Sequence, residues 1–140
     1  MHIKGNKDFL KAIPDISCRW LNLGIILKET NEFVGWCLTG PKDELIEPNR
    51  EIGYAISKYH RNKGYTAQAV QALIKYLFEE INVEVLNAMA LTHNAASNRV
   101  IQKCEFRYLN DIKIDDRKFH CYKLNKNELK SNDYQLKLNM

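Results

Sequence analysis

The residues whose types and spacing could do chemistry concentrate in one stretch, Ser57-Lys58-Tyr59-His60-Arg61-Asn62-Lys63-Gly64-Tyr65-Thr66-Ala67-Gln68-Ala69. A strand feeds a basic, glycine-containing turn, and the turn opens the best-defined helix of the chain. The first turn of a helix carries backbone N–H groups without acceptors and the positive end of the helix dipole. Gly64 permits close backbone approach, Arg61 and Lys63 add charge, and the Thr66 hydroxyl offers a further donor. Together they suit an anion, most naturally a phosphate. The same residues also make an ordinary strand-to-helix turn with solvated basic side chains, and the segment alone leaves both readings open.

The elements that must position this turn follow from pattern. Val70, Leu73, Ile74, Leu77, Phe78 and Ile81 fall on one face at the 3.6-residue period, which predicts the long helix after the turn. Ala67, Ala69 and Ala72 let it sit close to a sheet. Upstream, residues 20–28 and 33–38 read as antiparallel strands joined by a turn at residues 30–32. Gly40-Pro41 closes the second and opens a polar loop to Pro48, and Glu51–Ser57 reads as a third strand. Gly53 within it suggests a bulge or the close approach of another backbone. Residues 83–91 read as a buried strand. Asn94 is an N-cap for a second helix over 95–103, and residues 106–114 and 118–124 form a hairpin turning at Asp115-Asp116. A short helix over 8–13 is stopped by Pro14, and the polar stretch after Lys126 reads as a tail. Strands first, then helix, strand, helix and hairpin, predict an α/β fold built on one mixed sheet with helices on its faces.

Composition narrows the class. At 140 residues the chain is sized for one domain (residues 1–140), and 45% apolar with 27% charged residues excludes a disordered, collagen-like or coiled-coil chain. The net charge of +4 is mild and its lysines are scattered, so nucleic acid is not expected as a partner, whereas a bound polyphosphate fits it. Cys18, Cys37, Cys104 and Cys121 show no CxxC spacing, and the first eight residues have no signal-type apolar run. Reduced thiols, no metal site, no membrane span and a cytoplasmic setting are the expectations.

Arg61-x-x-Gly64-x-Thr66 resembles the (Gln/Arg)-x-x-Gly-x-(Gly/Ala) signature of the GNAT acetyltransferase superfamily. Asn94-Ala95-Ala96-Ser97, followed by Lys103-Cys104-Glu105-Phe106, resembles the Asn-x-x-Ser…Lys-x-Gly-Phe segment of its ribosomal-protein N-terminal acetyltransferase (RimJ/RimL-like) branch. Glu51-Ile52-Gly53-Tyr54 and Tyr122-Lys123-Leu124 also match that branch. The resemblance spans roughly residues 20–128 and rests on motif order and placement more than on any one motif.

The resemblance implies an N-acetyltransferase that moves an acetyl group from acetyl-coenzyme A directly to a primary amine, a protein N-terminus or a small amine. A non-catalytic acyl-coenzyme A-binding or sensor module is the alternative. The implied fold is a mostly antiparallel sheet splayed between two parallel strands, here those ending at Ser57 and Leu91. The implied pyrophosphate site is Arg61, Asn62, Lys63, Gly64, Tyr65 and Thr66. The pantetheine arm would run along the strand edge at Ile56 and Ser57, where a backbone N–H polarises the thioester carbonyl, with Asn94 as a further partner or simply as the cap. Glu51 is the implied general base and Ser97 the implied acid or thiolate partner. His60, His93 and Tyr54 are lesser alternatives for proton transfer. With no acyl-enzyme in the reaction, Cys104 and Cys121 are packing residues.

Several positions depart from the family pattern. Thr66 stands for Gly or Ala, Gln68 for Glu and Lys58 for Pro. Glu105 stands for Gly, which predicts an altered backbone there. Ile101 occupies the position where other branches carry a tyrosine acid. Only about eighteen residues precede the strand at Trp20, which predicts a shortened helical N-terminus lacking the family's first strand. That absence would expose a sheet edge and favour a homodimer.

Overall fold

The computed structural model describes residues 2–4 and 20–129. Seven strands, β1 (His2–Lys4), β2 (Leu21–Ile26), β3 (Phe33–Pro41), β4 (Arg50–Ile56), β5 (Val85–Leu91), β6 (Arg107–Ile114) and β7 (Arg117–Asn125), form one sheet in the order β1-β2-β3-β4-β5-β7-β6. Helix α1 (Tyr65–Glu79) connects β4 to β5, and α2 (Ala95–Lys103) connects β5 to β6. All strand neighbours are antiparallel except β4 and β5.

Both described helices lie on one face, because their apolar stripes meet the same alternating strand positions. Leu73, Leu77 and Phe78 of α1 and Ile101 of α2 share a core with Ile52, Leu86, Ala88, Tyr122 and Leu124. Side chains alternate across a strand, so Glu51, Gly53 and Ala55 point to the opposite face. The two crossovers run the same way across the sheet, and right-handed connections then put both helices on the same side. The predicted helix over 8–13 and the tail beyond residue 129 lie outside the described residues.

Three expectations are corrected. The first strand is present: His2–Lys4 pairs antiparallel with β2, from His2↔Ile26 to Lys4↔Gly24. That pairing removes the bare-edge argument for a homodimer. Gly53 makes no bulge, since it sits in continuous register opposite Leu38, and a Cβ there would meet Leu38 Cδ1 at 3.1 Å. A neighbouring side chain, not a backbone, uses its space. The register shifts fall instead at Ile25/Ile26 and Tyr108/Asn110.

The backbone at Glu105 keeps the shape a glycine would give it. Glu105 has φ 73 immediately after the Cys104 cap, and the amides of Glu105 and Phe106 bond back to Gln102 O and Ile101 O at 3.0 and 3.3 Å. This is a left-handed helix end of the kind glycine favours, held by a residue with a Cβ. Glu105→Gly is therefore expected to raise stability by about 1 kcal/mol, less the entropy glycine adds to the unfolded chain. Urea unfolding measures it, and a loss of stability would contradict the account.

Candidate active site

The site begins where the two parallel strands part. β4 and β5 share a single residue pair in register, Glu51↔Asn87, and their C-terminal halves, Ile52–Ile56 and Ala88–Leu91, diverge beyond it. The apex is tied by the buried Asn87 side chain, whose Nδ2 donates to Pro48 O and Arg50 O, each at 3.0 Å. Past this staple the strands separate into a wedge.

Backbone alternation decides which groups line it. Ser57 N donates to Val34 O at 2.7 Å, across to β3. Amides of successive residues face opposite edges of a strand, so Ile52, Tyr54 and Ile56 aim their N–H and C=O groups into the wedge. Ile56 thus offers the amide expected of it. Ser57 does not: besides its amide, its carbonyl accepts from His60 N at 2.9 Å and its Oγ from Tyr59 N at 3.3 Å. On the far side, Leu91 O is already held by Asn94 N at 2.9 Å and Asn98 Nδ2 at 3.1 Å.

The open end of the wedge leads to the start of α1. Gly64 is the N-cap, left-handed at φ 80 and ψ 2, with no side-chain cap bond. Helix geometry leaves the amides of Tyr65, Thr66 and Ala67 without intrahelical acceptors, and Gln68 N is the first to bond back, to Gly64 O at 3.1 Å. Asn62 is also left-handed, at φ 62, so left-handed residues flank Lys63, and such turns gather successive N–H groups into a concavity for an anion. Arg61, Asn62 and Lys63 are exposed, and Tyr65 anchors the turn against Ile25, Leu27 and Val34. The residues expected at the pyrophosphate site, Arg61 to Thr66, thus lie in this turn and at the start of α1.

The proton-transfer candidates fall on opposite faces of the sheet. Glu51 stands at the apex on the face opposite the two described helices. Burial pushes its carboxyl above the ordinary value of 4.5, with Lys42 lowering it and Glu44 raising it to lesser degrees. Ser97 stands in the first turn of α2, on the helix face. Its Oγ is 2.8 Å from Tyr54 Oη, and Tyr54 Oη also donates to Ser97 O at 3.0 Å. Burial pushes the Tyr54 phenol up to about 12, against the Ser97 hydrogen bond, so it stays protonated at neutral pH. Sequence reasoning ranked Tyr54 among lesser alternatives. The available signal was its parity with buried Ile52 on β4, which aims it at α2.

The other candidates separate. Asn94 Oδ1 caps α2 by accepting from Ser97 N at 3.1 Å. His60 Nε2 lies 3.4 Å from Glu32 of the β2–β3 turn, and His93 is exposed in the turn before α2. Ile101 is fully buried core. Cys37, Cys104 and Cys121 are buried free thiols, and burial pushes both Cys37 and Cys121 up to about 11, which makes them poor nucleophiles. Sequence reasoning missed Asn98 altogether. Its Nδ2 donates to Leu91 O and to Asn94 O, the latter at 2.7 Å, and its Oδ1 accepts from Tyr122 Oη at 2.6 Å. It locks the first turn of α2, and hence Ser97, to β5 and β7.

Comparison with known proteins supplies a frame for this geometry. A family model described as an acetyltransferase (GNAT) domain matches residues 6–107. An uncharacterised N-acetyltransferase, p20, of Bacillus licheniformis is 33% identical over 104 residues, covering 72% of this chain and 57% of that protein. A GNAT-family acetyltransferase from Bacillus anthracis superposes with TM-score 0.69 at 27% identity, over 76% of this chain and 67% of the other. RimJ of Mycobacterium smegmatis, solved with a coenzyme A disulfide, shares the fold at TM-score 0.73 and 20% identity, over 86% of this chain and 61% of its own. The chain spans about half the length of the curated relatives it matches.

Proposed function

Because the chain belongs to the GNAT acetyltransferase family, we propose that it transfers an acetyl group from acetyl-coenzyme A directly to a primary amine, in a cytoplasmic setting. The observation that carries this reading is the wedge: two parallel strands joined only at Glu51↔Asn87, opening toward an uncapped helix start with a left-handed N-cap glycine. A long, thin substrate with an anionic end fits that shape. Its pyrophosphate lies on the amides from Arg61 to Thr66, and its pantetheine arm pairs with the edge of β4. The Ile56 amide, aimed into the wedge, donates to the thioester carbonyl as negative charge develops on its oxygen.

Proton traffic follows from the two faces. The acceptor approaches from the Glu51 side, and Glu51 takes a proton from the attacking amine, directly or through water. Its raised pKa makes the carboxylate a stronger proton acceptor than an ordinary glutamate. As the C–N bond forms and the C–S bond breaks, the departing sulfur is left as a thiolate. The Ser97 hydroxyl, backed by Tyr54, stabilises it by a hydrogen bond, and the sulfur takes up one proton from solvent as Glu51 releases the one it took from the amine. No protein atom is acylated, in keeping with the high thiol pKa values of Cys37 and Cys121.

The reading is tested by following acetyl-coenzyme A-dependent release of free thiol with a panel of amines: alkylamines, arylalkylamines, polyamines, aminosugars and peptides with free N-termini. At least one amine is expected to give release above hydrolysis, with the acetylated amine as product by mass. Thiol release with none of them would overturn it.

A further inference from the structure

The sheet face beside Glu51, opposite the two described helices, is covered by large side chains lying flat over glycines. On β3, Gly40 is the direct cross-strand neighbour of Glu51. A Cβ placed on Gly40 would lie 2.2 Å from Trp20 Cδ2 and 2.6 Å from its Cγ and Cε3, so the indole rests on the Gly40 backbone immediately beside the Glu51 position. Two residues along, Leu38 lies over Gly53 with Cδ1 3.1 Å from a Cβ there, and further on Phe33 lies over Gly24 at 3.0 Å. Trp20 is nonetheless 47% exposed and Trp36, on the same face, 40%. Among the described residues the result is a flat apolar floor with the half-buried Glu51 carboxylate at one end.

A carboxylate at the margin of an aromatic floor is complementary to a primary amine joined to an apolar group. The nitrogen sits at Glu51, an ammonium gains from the indole face before it loses its proton, and the carbon skeleton covers Trp20 and Leu38. A second cation on the acceptor has no such reception among the described residues, because the stronger of the charges acting on Glu51 is the cation Lys42, ion-paired at 3.4 Å with Glu44, which acts less strongly. The geometry points to Trp20 as a specificity-determining residue that selects acceptors whose amine carries an apolar substituent, over polyamines and aminosugars. This rests on the acetyl-transfer reading for its kinetic consequences, but not for the binding itself. The same chemistry is offered by a small arylalkylamine and by a peptide that begins with an apolar residue.

Steady-state kinetics with 2-phenylethylamine, a phenylalanyl tripeptide amide, ethylamine and spermidine test it. The wild-type protein is expected to prefer the phenyl-bearing acceptors to ethylamine by at least about tenfold in kcat/KM, the low end of what burying a phenyl ring is worth. Whether the small amine or the peptide is the better of the two tells the sources apart. Trp20→Ala should erase the preference through KM, leaving the Kd for acetyl-coenzyme A unchanged, and Trp20→Phe should restore most of it. Equal loss on all four amines, or an unaltered preference in Trp20→Ala, would overturn the assignment. Binding is read separately by the indole N–H resonance of Trp20, identified by its disappearance in Trp20→Phe. It should shift on titration with 2-phenylethylamine and not with ethylamine, and no shift would overturn the inference even if Trp20→Ala fails to fold. A wild-type protein that shows the shift yet releases no coenzyme A with any amine would refute the transfer reading and not this one.

Discussion

Gly64→Glu is expected to abolish acetyl-coenzyme A binding while leaving the protein folded. Two effects combine at this position. Gly64 has φ 80, where an L side chain costs about 1–2 kcal/mol, and the new carboxylate would stand at the mouth of the cradle formed by the Tyr65, Thr66 and Ala67 amides. Space is not the obstacle, since a Cβ there meets only Gln68 Nε2, at 3.7 Å. A carboxylate at a helix N-terminus is itself stabilising, by roughly 0.3–1 kcal/mol, which offsets part of the strain. The fold should therefore survive, with the anion site occupied by the protein's own charge. Calorimetric titration should show a Kd weakened by at least about a hundredfold, the loss of two or more charge-assisted hydrogen bonds. Gly64→Ala separates the causes: it carries the backbone strain without the charge and should retain most of the affinity. A Gly64→Glu protein that binds within threefold of wild type would place the pyrophosphate elsewhere.

How far this site was legible depends on which residues carried local information. α2 emerged with the predicted bounds, Ala95–Lys103, because Asn94 writes its start as a side-chain cap. The Asp115-Asp116 turn was equally clear, and both residues take the positive φ, 50 and 64, that a tight hairpin demands. α1 begins at Tyr65, ahead of the first strongly periodic residue, Val70. Its opening turn is set by Gly64 rather than by an apolar stripe. Ile81, the last member of that stripe, falls beyond the helix end and packs on the core from the following turn. What the sequence withheld was non-local. Three residues, His2–Lys4, carry no pattern that announces a strand, and only the partner β2 makes them one. The pairing of Tyr54 with Ser97 joins residues 43 positions apart, and the choice of Ile56 over Ser57 depends on which edge of β4 faces β3. The places of Gly64 and Glu51 in the fold were readable because each sits within a residue or two of a helix start or strand end.

Glu51→Gln is expected to lower kcat by roughly a hundredfold or more, in the range set by the loss of a positioned general base, with the Kd for acetyl-coenzyme A unchanged. The pH profile carries the sharper test. Desolvation raises the Glu51 pKa above the ordinary value of 4.5, so the carboxylate, the form able to accept a proton, appears only as pH rises through that raised value. Wild-type kcat/KM should climb along an acid limb displaced above 4.5, and Gln should remove that limb, leaving the ionisation of the acceptor amine alone. Stability moves in the opposite sense. A raised pKa means the fold disfavours the charged form, so wild type gains stability as pH falls through it, and above it the neutral Gln should be no less stable than Glu. A thermal midpoint for Glu51→Gln at or above that of wild type at neutral pH would show that lost turnover is lost chemistry and not lost fold. Turnover unchanged by the substitution would remove Glu51 from the reaction. Tight acetyl-coenzyme A binding without turnover, in wild type and variant alike, would identify the wedge as an acyl-coenzyme A receptor, in which the Tyr54–Ser97 pair fastens β4 to α2 instead of stabilising a thiolate.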